Sequence, residues 1–423
     1  MDNSKRLKIL LSCYSCGPGR GSEPGVGWNA ALSLAELHEV HVLTTSEFQE
    51  KTQALVEAGE IPKGLQFHFF ELPFGRWWWR HGGLHGIRIH YYLWQLFASF
   101  TVKSLHQKHH FDTAQHLTFV CYWAPSCLAF SPIPYIFGPV GGAEYSPRPL
   151  CRSYKVLAKL KETARAFVRW AGEHDFFVIR TLRNAKQVLA TTNITAERCQ
   201  KVAGSSEKVA VCGESALSTP EFNQLSAIKQ ASGPIVFGCM GRLVYWKGYD
   251  LAIKAFARAA IPGASLLIVG GGPEGIRLRR LSEALGVASD VHFTGPLQRQ
   301  EALAELSRVH VLVHPSHHDS GGWACIEAMS AGRPVICLDW AGPATQVAPN
   351  TGFKIPVCEE GKVVDGIAAA MRRLADAETR EVMGCAGQRL VKNKYLWSSK
   401  AAFYSELHLN AVGMYENGSN NTE

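Results

Sequence analysis

The stretch from Ile235 to Val269 reads IVFGCMGRLVYWKGYDLAIKAFARAAIPGASLLIV and predicts one complete β-α-β unit. Ile235–Cys239 is an apolar run typical of a buried strand, Tyr249–Ala260 repeats apolar residues at helical spacing, and Ser265–Val269 is a second apolar run. Two strands connected through a helix in this way lie parallel in one sheet. The stretch therefore predicts a parallel sheet covered by helices.

The same alternation continues on both sides of this unit. Towards the C-terminus the predicted strands are Val291–Phe293, Val309–His314 and Pro334–Leu338, and the predicted helices are Ile276–Leu285, Glu301–Ser307, Trp323–Ser330 and Ser398–Ala411. Towards the N-terminus the predicted strands are Leu7–Ser12, Glu39–Thr44, Gln66–Glu71, His116–Phe119, Tyr135–Phe137 and Gln187–Thr191, with a helix at Trp28–Glu36. Ser218–Gly233 is rich in polar residues, proline and glycine and is interpreted as a linker between the two series.

The two series predict an α/β protein with two Rossmann-like, doubly wound parallel-sheet domains facing a central cleft. The expected domains are residues 1–217 and 218–395, followed by residues 396–423 as a helix that packs back towards the first domain and a polar tail. Ligands of open α/β sheets bind at the carboxyl ends of the strands, so the cleft is the expected ligand site.

Length and composition agree with two globular domains. The chain has 423 residues, of which 46% are hydrophobic and 19% charged, and this excludes a disordered or collagen-like chain. The longest apolar run, Tyr91–Phe100, is too short for a helix that spans a membrane. Twelve cysteines without regular spacing, and an apolar segment at Ile9–Leu11 too short for an export signal, predict a cytoplasmic protein with reduced thiols.

The net charge of +8 is compatible with nucleic acid, anionic lipid or a phosphorylated small molecule as a partner. The basic residues are scattered rather than arranged in a stripe with interleaved aromatic residues, which argues against nucleic acid.

The loop after the predicted strand Ile235–Cys239 has the composition of a diphosphate site. Arg242 and Lys247 stand five residues apart between Gly241 and Gly248. Arginine binds phosphate with two parallel hydrogen bonds, lysine acts as a compact charge, and glycines allow the backbone to approach the ligand. The alternative is a pair of solvated surface cations.

A second segment, residues 314–329, follows a strand and enters a helix. It carries Asp319 in the loop and Glu327 eight positions later, with Gly321 and Gly322 before the helix. The carboxylates can accept hydrogen bonds from sugar hydroxyls, and the amides at a helix start favour an anion. Together the two segments predict binding of a nucleotide sugar.

These motifs resemble those of a known family. The matching segments are G-R-x-x-x-x-K-G at Gly241–Gly248, G-G-G-P-E at Gly270–Glu274, F-T-G-P at Phe293–Pro296, and P-S-x-x-D-x7-E-A-M-x-x-G-x-P-V at Pro315–Val335. They are similar to retaining glycosyltransferases of family 4, which have the GT-B fold. The resemblance implies an enzyme that moves a sugar from a nucleotide diphosphate, UDP or GDP, to a hydroxyl of a glycan or lipid-linked acceptor in polysaccharide or glycolipid biosynthesis. Because Arg242 and Lys247 could supply the charge that a metal ion would provide, we expect transfer without a metal or another cofactor.

The resemblance assigns roles residue by residue. Arg242 and Lys247 would bind the donor diphosphate and stabilise the leaving group, Asp319 would hold the transferred sugar, and Glu327 the ribose. His116 would lie beside the reacting carbon. The remaining implied donor contacts are Gly25 and Gly27 in a loop closing over the phosphates, Gly241, Gly271, Pro296 and Leu297, and the amides at Gly322, Trp323 and Ala324.

One departure from the family pattern concerns the sugar pocket. The family usually has glutamate where this chain has Asp319, and its G-F-G-L is replaced by residues 321–324, GGWA. A non-catalytic nucleotide-sugar or glycan-binding relative is therefore the alternative.

Two other classes fit the sequence less well. A nicotinamide-binding fingerprint requires a third glycine that Gly17–Ser22 lacks. A zinc site from His314, His317, His318 and Asp319 would need neighbouring side chains of one loop to converge on the ion.

A cluster of tryptophan and arginine in the first domain predicts an acceptor groove or a peripheral membrane contact at the inner face of the membrane. It comprises Arg76, Trp77, Trp78, Trp79 and Arg80. The amphipathic pattern that follows, to Lys108, predicts a helix with Ile89, Leu93, Leu96, Phe97 and Phe100 packed in the core.

Overall fold

The structure is a computed structural model that describes residues 6–19, 21–73, 75, 83–119, 121–151, 156–229 and 232–419. Trp77–Trp79, Arg76 and Arg80 lie outside the described residues. The strands, in chain order, are β1 Lys8–Ser12, β2 Glu39–Thr44, β3 Leu65–Phe69, β4 Thr113–His116, β5 Tyr135–Val140, β6 Gln187–Ala190, β7 Val209–Val211, β8 Val236–Met240, β9 Ser265–Val269, β10 Val291–Gly295, β11 Val311–His314, β12 Val335–Leu338 and β13 Gly352–Ile355.

Helices separate most consecutive strands. In chain order they are α1 Ser22–Ala35, α2 Gln49–Glu57, α3 Gly83–His109, α4 Val156–Glu173, α5 Phe176–Asn184, α6 Asn193–Ala203, α7 Thr219–Ser226, α8 Tyr249–Ala259, α9 Gly275–Ala284, α10 Arg299–Ala304, α11 Trp323–Ser330, α12 Ala341–Gln346, α13 Glu360–Arg373, α14 Ala377–Lys394 and α15 Trp397–Ser419.

The chain divides into two compact units, neither of which is one contiguous segment. The first comprises Met1–Ala143, Ala166–Glu214 and Trp397–Glu423, and the second comprises Glu144–Arg165 and Ser215–Leu396. The assignment of residues 144–165 to the second unit has no counterpart in the sequence-based division.

The first unit contains a seven-stranded sheet in the order β3-β2-β1-β4-β5-β6-β7, and every pairing is parallel. Helix α15 packs against α1 and against the strands β4 and β5. The side chain of His408 on α15 is fully buried, and its Nε2 lies 3.1 Å from Oε1 of Gln115 on β4. Residues from three separate chain segments thus complete this unit.

The second unit contains a six-stranded parallel sheet in the order β10-β9-β8-β11-β12-β13. Neighbouring residues of β11 enter different cores, since Val311 and Val313 belong to one apolar cluster and Leu312 to another. A sheet covered on both faces requires strands that are apolar on both sides, as β11 is from Val311 to Val313. Both units therefore confirm the predicted α/β class with two Rossmann-like parallel sheets.

The predicted linker is wrong over its first half. Thr219–Ser226 is helix α7, and it begins with a capping box in which the Ser218 side chain accepts from the Glu221 amide while Glu221 accepts from the Ser218 amide. Pro220 suits the first turn of a helix because its missing N–H has no partner to lose there. Polar composition thus marked a capped helix start rather than a linker.

The predicted buried face of the helix after residue 83 is also wrong. Helix α3 exists, but Ile89, Leu93, Phe97 and Phe100 are exposed, Phe100 to 68% of its surface. The buried side of α3 carries Tyr91, Trp94, Ala98 and Val102, which belong to the core of the first unit. None of the helices within the described residues combines the length and the apolar composition that a membrane span requires.

Candidate active site

A cavity of about 270 Å³ lies in the second unit, where the loops after β8 and β11 meet. These two strands are paired in parallel, so their carboxyl ends come to the same edge of the sheet. The predicted site residues that line the cavity are Gly241, Arg242, Lys247, Asp319, Trp323, Ala324 and Glu327, and the further lining residues are Met240, Arg299, Ala302 and Leu303.

The loop after β8 is held against the loop after β11. The amide of His317 donates to the carbonyl oxygen of Trp246 at 2.7 Å. Gly248 adopts a φ of +67°, and a Cβ at this position would collide with the carbonyl oxygen of Pro315. Glycine is therefore required here both for its backbone conformation and for the close approach of the two loops.

Asp319 and Lys247 form an ion pair inside this cavity. Oδ2 of Asp319 lies 2.5 Å from Nζ of Lys247 and 2.9 Å from Nε2 of His314, and Oδ1 accepts from the amide of Gly322 at 3.1 Å. Burial opposes ionisation of Asp319, but Lys247 and His314 hold its pKa well below the usual range. Burial and the charge of Lys247 lower the pKa of His314. The aspartate is therefore an ionised hydrogen-bond acceptor, and the histidine ring is neutral.

The start of helix α11 is at the wall of the cavity. Gly322 is the N-cap residue with a φ of +53°, no side chain caps the helix, and Trp323 and Ala324 line the cavity. The exposed amides of a helix start carry a partial positive charge. This part of the wall can bind a phosphate oxygen.

Glu327 is buried one turn further along α11 and is paired with Arg299. Nη2 of Arg299 donates to Oε1 of Glu327 at 2.8 Å, and Nη1 of the same arginine donates to Glu221 at 3.1 Å. Burial raises the pKa of Glu327 to about 7, although Arg299 acts in the opposite direction. The two carboxylates of the cavity thus have opposite pKa shifts. The pKa of Asp319 is lowered by its partners Lys247 and His314, whereas the pKa of Glu327, which is paired with the half-exposed Arg299, is raised by burial.

Arg242 is exposed, and within the described parts of the chain no carboxylate forms an ion pair with it. An arginine that lines a cavity without an acidic partner can bind an anionic ligand without first breaking an ion pair. Arg242 can therefore bind an anionic ligand directly, whereas Lys247 is already paired with Asp319.

Some predicted donor residues are close to this region but do not line the cavity. The carbonyl of Gly271 accepts from the amide of Leu243 at 2.9 Å, and a Cβ on Gly271 would lie 3.1 Å from Pro296. Pro296 and Leu297 form the connection from β10 to α10, and Leu297 packs against the apolar core.

The interpretation of Gly25 and Gly27 as a loop is wrong. Both are buried inside α1, which begins at Ser22 rather than at Trp28. A Cβ on Gly27 would lie 2.9 Å from the carbonyl oxygen of Ser15. This glycine is required for the packing of α1 against the segment after β1, and its contact with the donor stays a prediction.

His116 is the last residue of β4, whereas the predicted strand His116–Phe119 began there, so that prediction was wrong by three residues. The residue is only 1% exposed. Its Nε2 lies 3.0 Å from the Tyr91 hydroxyl and its Nδ1 lies 3.1 Å from the Ser126 hydroxyl. Burial lowers its pKa to about 3. The ring is therefore neutral and already bonded at both nitrogens, and its catalytic role stays a prediction.

Two polar residues of the cavity region, Arg299 and His314, were missed by sequence reasoning, as were the apolar lining residues Met240, Ala302 and Leu303. Arg299 lies 28 positions before its partner Glu327, and no motif connects them. His314 was considered only as a zinc ligand, although its position at the end of β11 was a usable signal, because side chains at strand ends reach the ligand edge of the sheet.

Part of the chain is similar in sequence to known glycosyltransferases. Residues 222–390 match the family described as Glycosyl transferases group 1. A GDP-mannose-dependent alpha-(1-6)-phosphatidylinositol monomannoside mannosyltransferase of Mycobacterium tuberculosis is 34% identical over 175 residues, which is 39% of this chain and 44% of that protein. A lipopolysaccharide core biosynthesis glycosyltransferase of Rhizobium meliloti is 31% identical over 157 residues, 37% of this chain and 44% of its own length. The chain thus spans less than half of the length of these curated relatives.

Solved structures match over nearly the whole chain. A glycosyltransferase from Rickettsia africae has a TM-score of 0.61 at 12% identity and covers 96% of this chain and 99% of its own. Sucrose-phosphate synthase from Thermosynechococcus elongatus has a TM-score of 0.60 at 19% identity, with 97% and 100% covered. The fold is that of the GT-B glycosyltransferases. Residues 222–390 form a glycosyltransferase group 1 domain.

Proposed function

We propose that the chain is a retaining glycosyltransferase of family 4 that moves a sugar from a nucleotide diphosphate to a hydroxyl of a glycan or lipid-linked acceptor, in polysaccharide or glycolipid biosynthesis. The observation that carries the proposal is the composition of the cavity. Arg242, Lys247 and the start of α11 can hold a diphosphate, while Asp319 and Glu327 can accept hydrogen bonds from sugar hydroxyls.

The donor nucleotide in this proposal is GDP or UDP. GDP is favoured by the relatives named GDP-mannose-dependent mannosyltransferases in Mycobacterium tuberculosis and Corynebacterium glutamicum. Transfer to a phosphatidylinositol mannoside is a property of those relatives by name, and it supports a lipid-linked acceptor here only as part of the proposal.

In the proposed reaction the bond between the sugar C1 and the diphosphate oxygen breaks, and the acceptor oxygen attacks C1 from the same face. The acceptor proton passes to the leaving phosphate oxygen. Arg242 and Lys247 stabilise the charge that develops on the diphosphate, so that cationic side chains act where other enzymes use a metal ion. Removing a preorganised donor of this kind costs about 10²–10³ in turnover.

The ion pair between Lys247 and Asp319 compensates two charges inside the proposed donor site. Both cavity-facing groups are partly buried, with side-chain exposures of 20% and 15%. A donor phosphate would share Lys247 with the aspartate, and a sugar hydroxyl would become the additional hydrogen-bond donor to Asp319. The buried charges thus remain compensated before and after donor binding.

A thermal-shift screen with GDP-mannose, UDP-glucose and ADP-glucose tests the donor, because a ligand that binds only the folded state raises the melting temperature. Mass spectrometry of the same mixtures with a lipid or glycan acceptor detects transfer. Stabilisation with neither transfer nor donor hydrolysis across the acceptor panel would favour the non-catalytic binding relative, and the absence of stabilisation by every donor would contradict the proposal.

We further propose that helix α3 mediates peripheral contact with the acceptor membrane. Its exposed face carries Ile89, Leu93, Phe97 and Phe100, with Arg88 and Lys103 exposed at the two ends of this apolar row. Apolar residues flanked by basic ones suit the headgroup region of an anionic bilayer.

A further inference from the structure

Three histidine side chains meet in the first unit, among residues with no part in the proposed transfer. They are His41 on β2, His68 on β3 and His109 at the end of α3. One ring nitrogen of each histidine lies within 4.8 Å of the other two. Among the described residues, no other three His, Cys, Asp or Glu side chains are placed so that they could hold one metal ion. The ring centroids of His41 and His109 are 4.5 Å apart, and those of His41 and His68 are 5.2 Å apart.

Two of these ring nitrogens are hydrogen-bonded to each other, and the third has no hydrogen-bond partner among the described residues. Nδ1 of His41 lies 2.9 Å from Nε2 of His68, so one proton is shared between two ring nitrogens. Nε2 of His109 is buried and has no hydrogen-bond partner among the described residues. A buried polar atom without a partner is unfavourable, and a metal ion would supply the missing partner.

Glu39 binds the second ring nitrogen of His41, on the side away from His68. Its Oε1 lies 3.1 Å from Nε2 of His41. Metal-ligating histidines usually donate their second ring nitrogen to a carboxylate, which leaves the first nitrogen unprotonated for the metal. With Nε2–H directed at Glu39, the lone pair of His41 is on Nδ1, the atom that faces His68.

We propose that His41, His68 and His109 bind a divalent transition metal, with Zn²⁺ as the ion that suits three imidazoles and an open fourth position. Zinc–nitrogen bonds of about 2.0–2.1 Å place ligand nitrogens roughly 3.3 Å apart. The observed separations, from 2.9 Å up to the 4.8 Å limit, bracket this value, so small side-chain rotations suffice.

The consequence of binding is structural. The metal would connect two neighbouring strands at the edge of the sheet to the end of α3, because β2 and β3 each contribute one ligand and the helix contributes the third. The proposal is independent of sugar transfer, since all three ligands belong to the first unit and the cavity residues belong to the second.

The test uses the full chain without an affinity tag, stripped with a chelator. We expect one Zn²⁺ per chain by mass spectrometry of the metal, a rise in melting temperature with excess Zn²⁺, and a Co²⁺ spectrum of tetrahedral nitrogen coordination. His68→Gln and His109→Gln should each weaken Zn²⁺ binding at least tenfold. His110→Asn is the matched control, because His110 is an exposed neighbour with a φ of +51°, a conformation that asparagine tolerates.

Equal Zn²⁺ affinity in the wild type and in both glutamine variants would overturn the proposal. A sulfur-to-Co²⁺ charge-transfer band would also overturn it, because it would assign binding to thiols such as the exposed Cys385. Circular dichroism of the metal-free variants separates lost binding from lost folding: a folded His109→Gln protein with tenfold weaker binding supports the site even where His68→Gln fails to fold.

Discussion

Nζ of Lys247 lies 2.5 Å from Oδ2 of Asp319, although 72 residues separate the two in the chain. The pair connects the loop after β8 to the loop after β11 inside the cavity that we assign to the donor. The cation proposed to stabilise the leaving group is thus the same one that keeps the sugar-side carboxylate ionised.

Replacement of Lys247 should slow catalysis strongly while the fold persists. We expect Lys247→Ala to lower kcat by about 10²–10³, since the developing charge on the diphosphate loses a preorganised partner. Lys254→Ala is the control, because Lys254 pairs with Glu360 at similar exposure without lining the cavity. Single-turnover kinetics and circular dichroism give the two readouts, and a near-normal rate in the Lys247 variant would remove this residue from the mechanism.

Glu327 should make stability depend on pH in a defined window. Its pKa is raised from 4.5 to about 7 in the folded protein, so the proton is held more tightly by the folded than by the unfolded chain. The associated stability is complete below pH 4.5 and is lost as the pH rises towards 7 and beyond. Relative to Glu327→Gln, the wild type should therefore lose on the order of 2 kcal/mol between these limits.

Melting curves from pH 4.5 to 7.5 measure that difference, with the exposed Glu283→Gln variant as the control. Parallel pH profiles of the wild type and Glu327→Gln would show that Glu327 does not titrate in this window.

Arg299 should affect donor binding more than turnover. In Arg299→Ala the buried Glu327 loses its cation, its ionised form becomes less favourable, and fewer chains present a carboxylate to the ribose. We expect the donor KM to rise about tenfold at pH 7 with a smaller change in kcat. Arg308→Ala serves as the control, since Arg308 pairs with Glu305 on the surface. An unchanged donor KM would show that Arg299 has no effect on the ribose site.

Gly322 should be irreplaceable for two reasons that can be separated. A Cβ at this residue would be strained by its φ of +53° and would also collide with the side-chain amide of Gln346. Gly263 has a comparable φ of +70° but open space around it. Gly263→Ala should therefore cost about 1–2 kcal/mol from strain alone, and Gly322→Ala clearly more. Equal losses in chemical denaturation would exclude the collision with Gln346.

The exposed face of α3 should control binding to vesicles. The double variant Phe97→Ser/Phe100→Ser should fold normally, because both side chains are exposed, and should bind anionic vesicles at least tenfold more weakly than the wild type. Ile276→Ser, which removes an isolated residue with 71% exposure in the other unit, provides the control. Equal sedimentation of all three proteins with phosphatidylglycerol vesicles would exclude α3 as the contact.

The sequence predicted five of the six strands of the second unit because most of them are apolar runs, whereas β13 was missed. The cavity residues of the loops after β8 and β11 could be found because each loop carries its charged residues and glycines within one short segment, Gly241–Gly248 and the segment around Asp319. Arg299 could not, because its partner Glu327 is close in space only after β10, α10 and β11 have formed.

The wrong prediction for the buried face of α3 and the missed histidine cluster also have physical causes. The row Ile89, Leu93, Phe97 and Phe100 has the spacing of a buried face, and hydrophobicity alone cannot distinguish it from Tyr91, Trp94 and Val102 on the other side of the same helix. The three histidines of the proposed metal site are spread over 69 positions, from 41 to 109, and only the register of β2 with β3 and the length of α3 bring them together.

The hydrogen bond between His408 and Gln115 constrains the order in which the two units can fold during translation. The two residues are 293 positions apart, so the ribosome makes β4 long before it makes the helix that covers it. Until that helix emerges, one flank of the seven-stranded sheet stays uncovered while the whole second unit is synthesised. The unit whose synthesis starts first is therefore completed after the other, and a nascent chain stalled before residue 397 should bind chaperones through that flank.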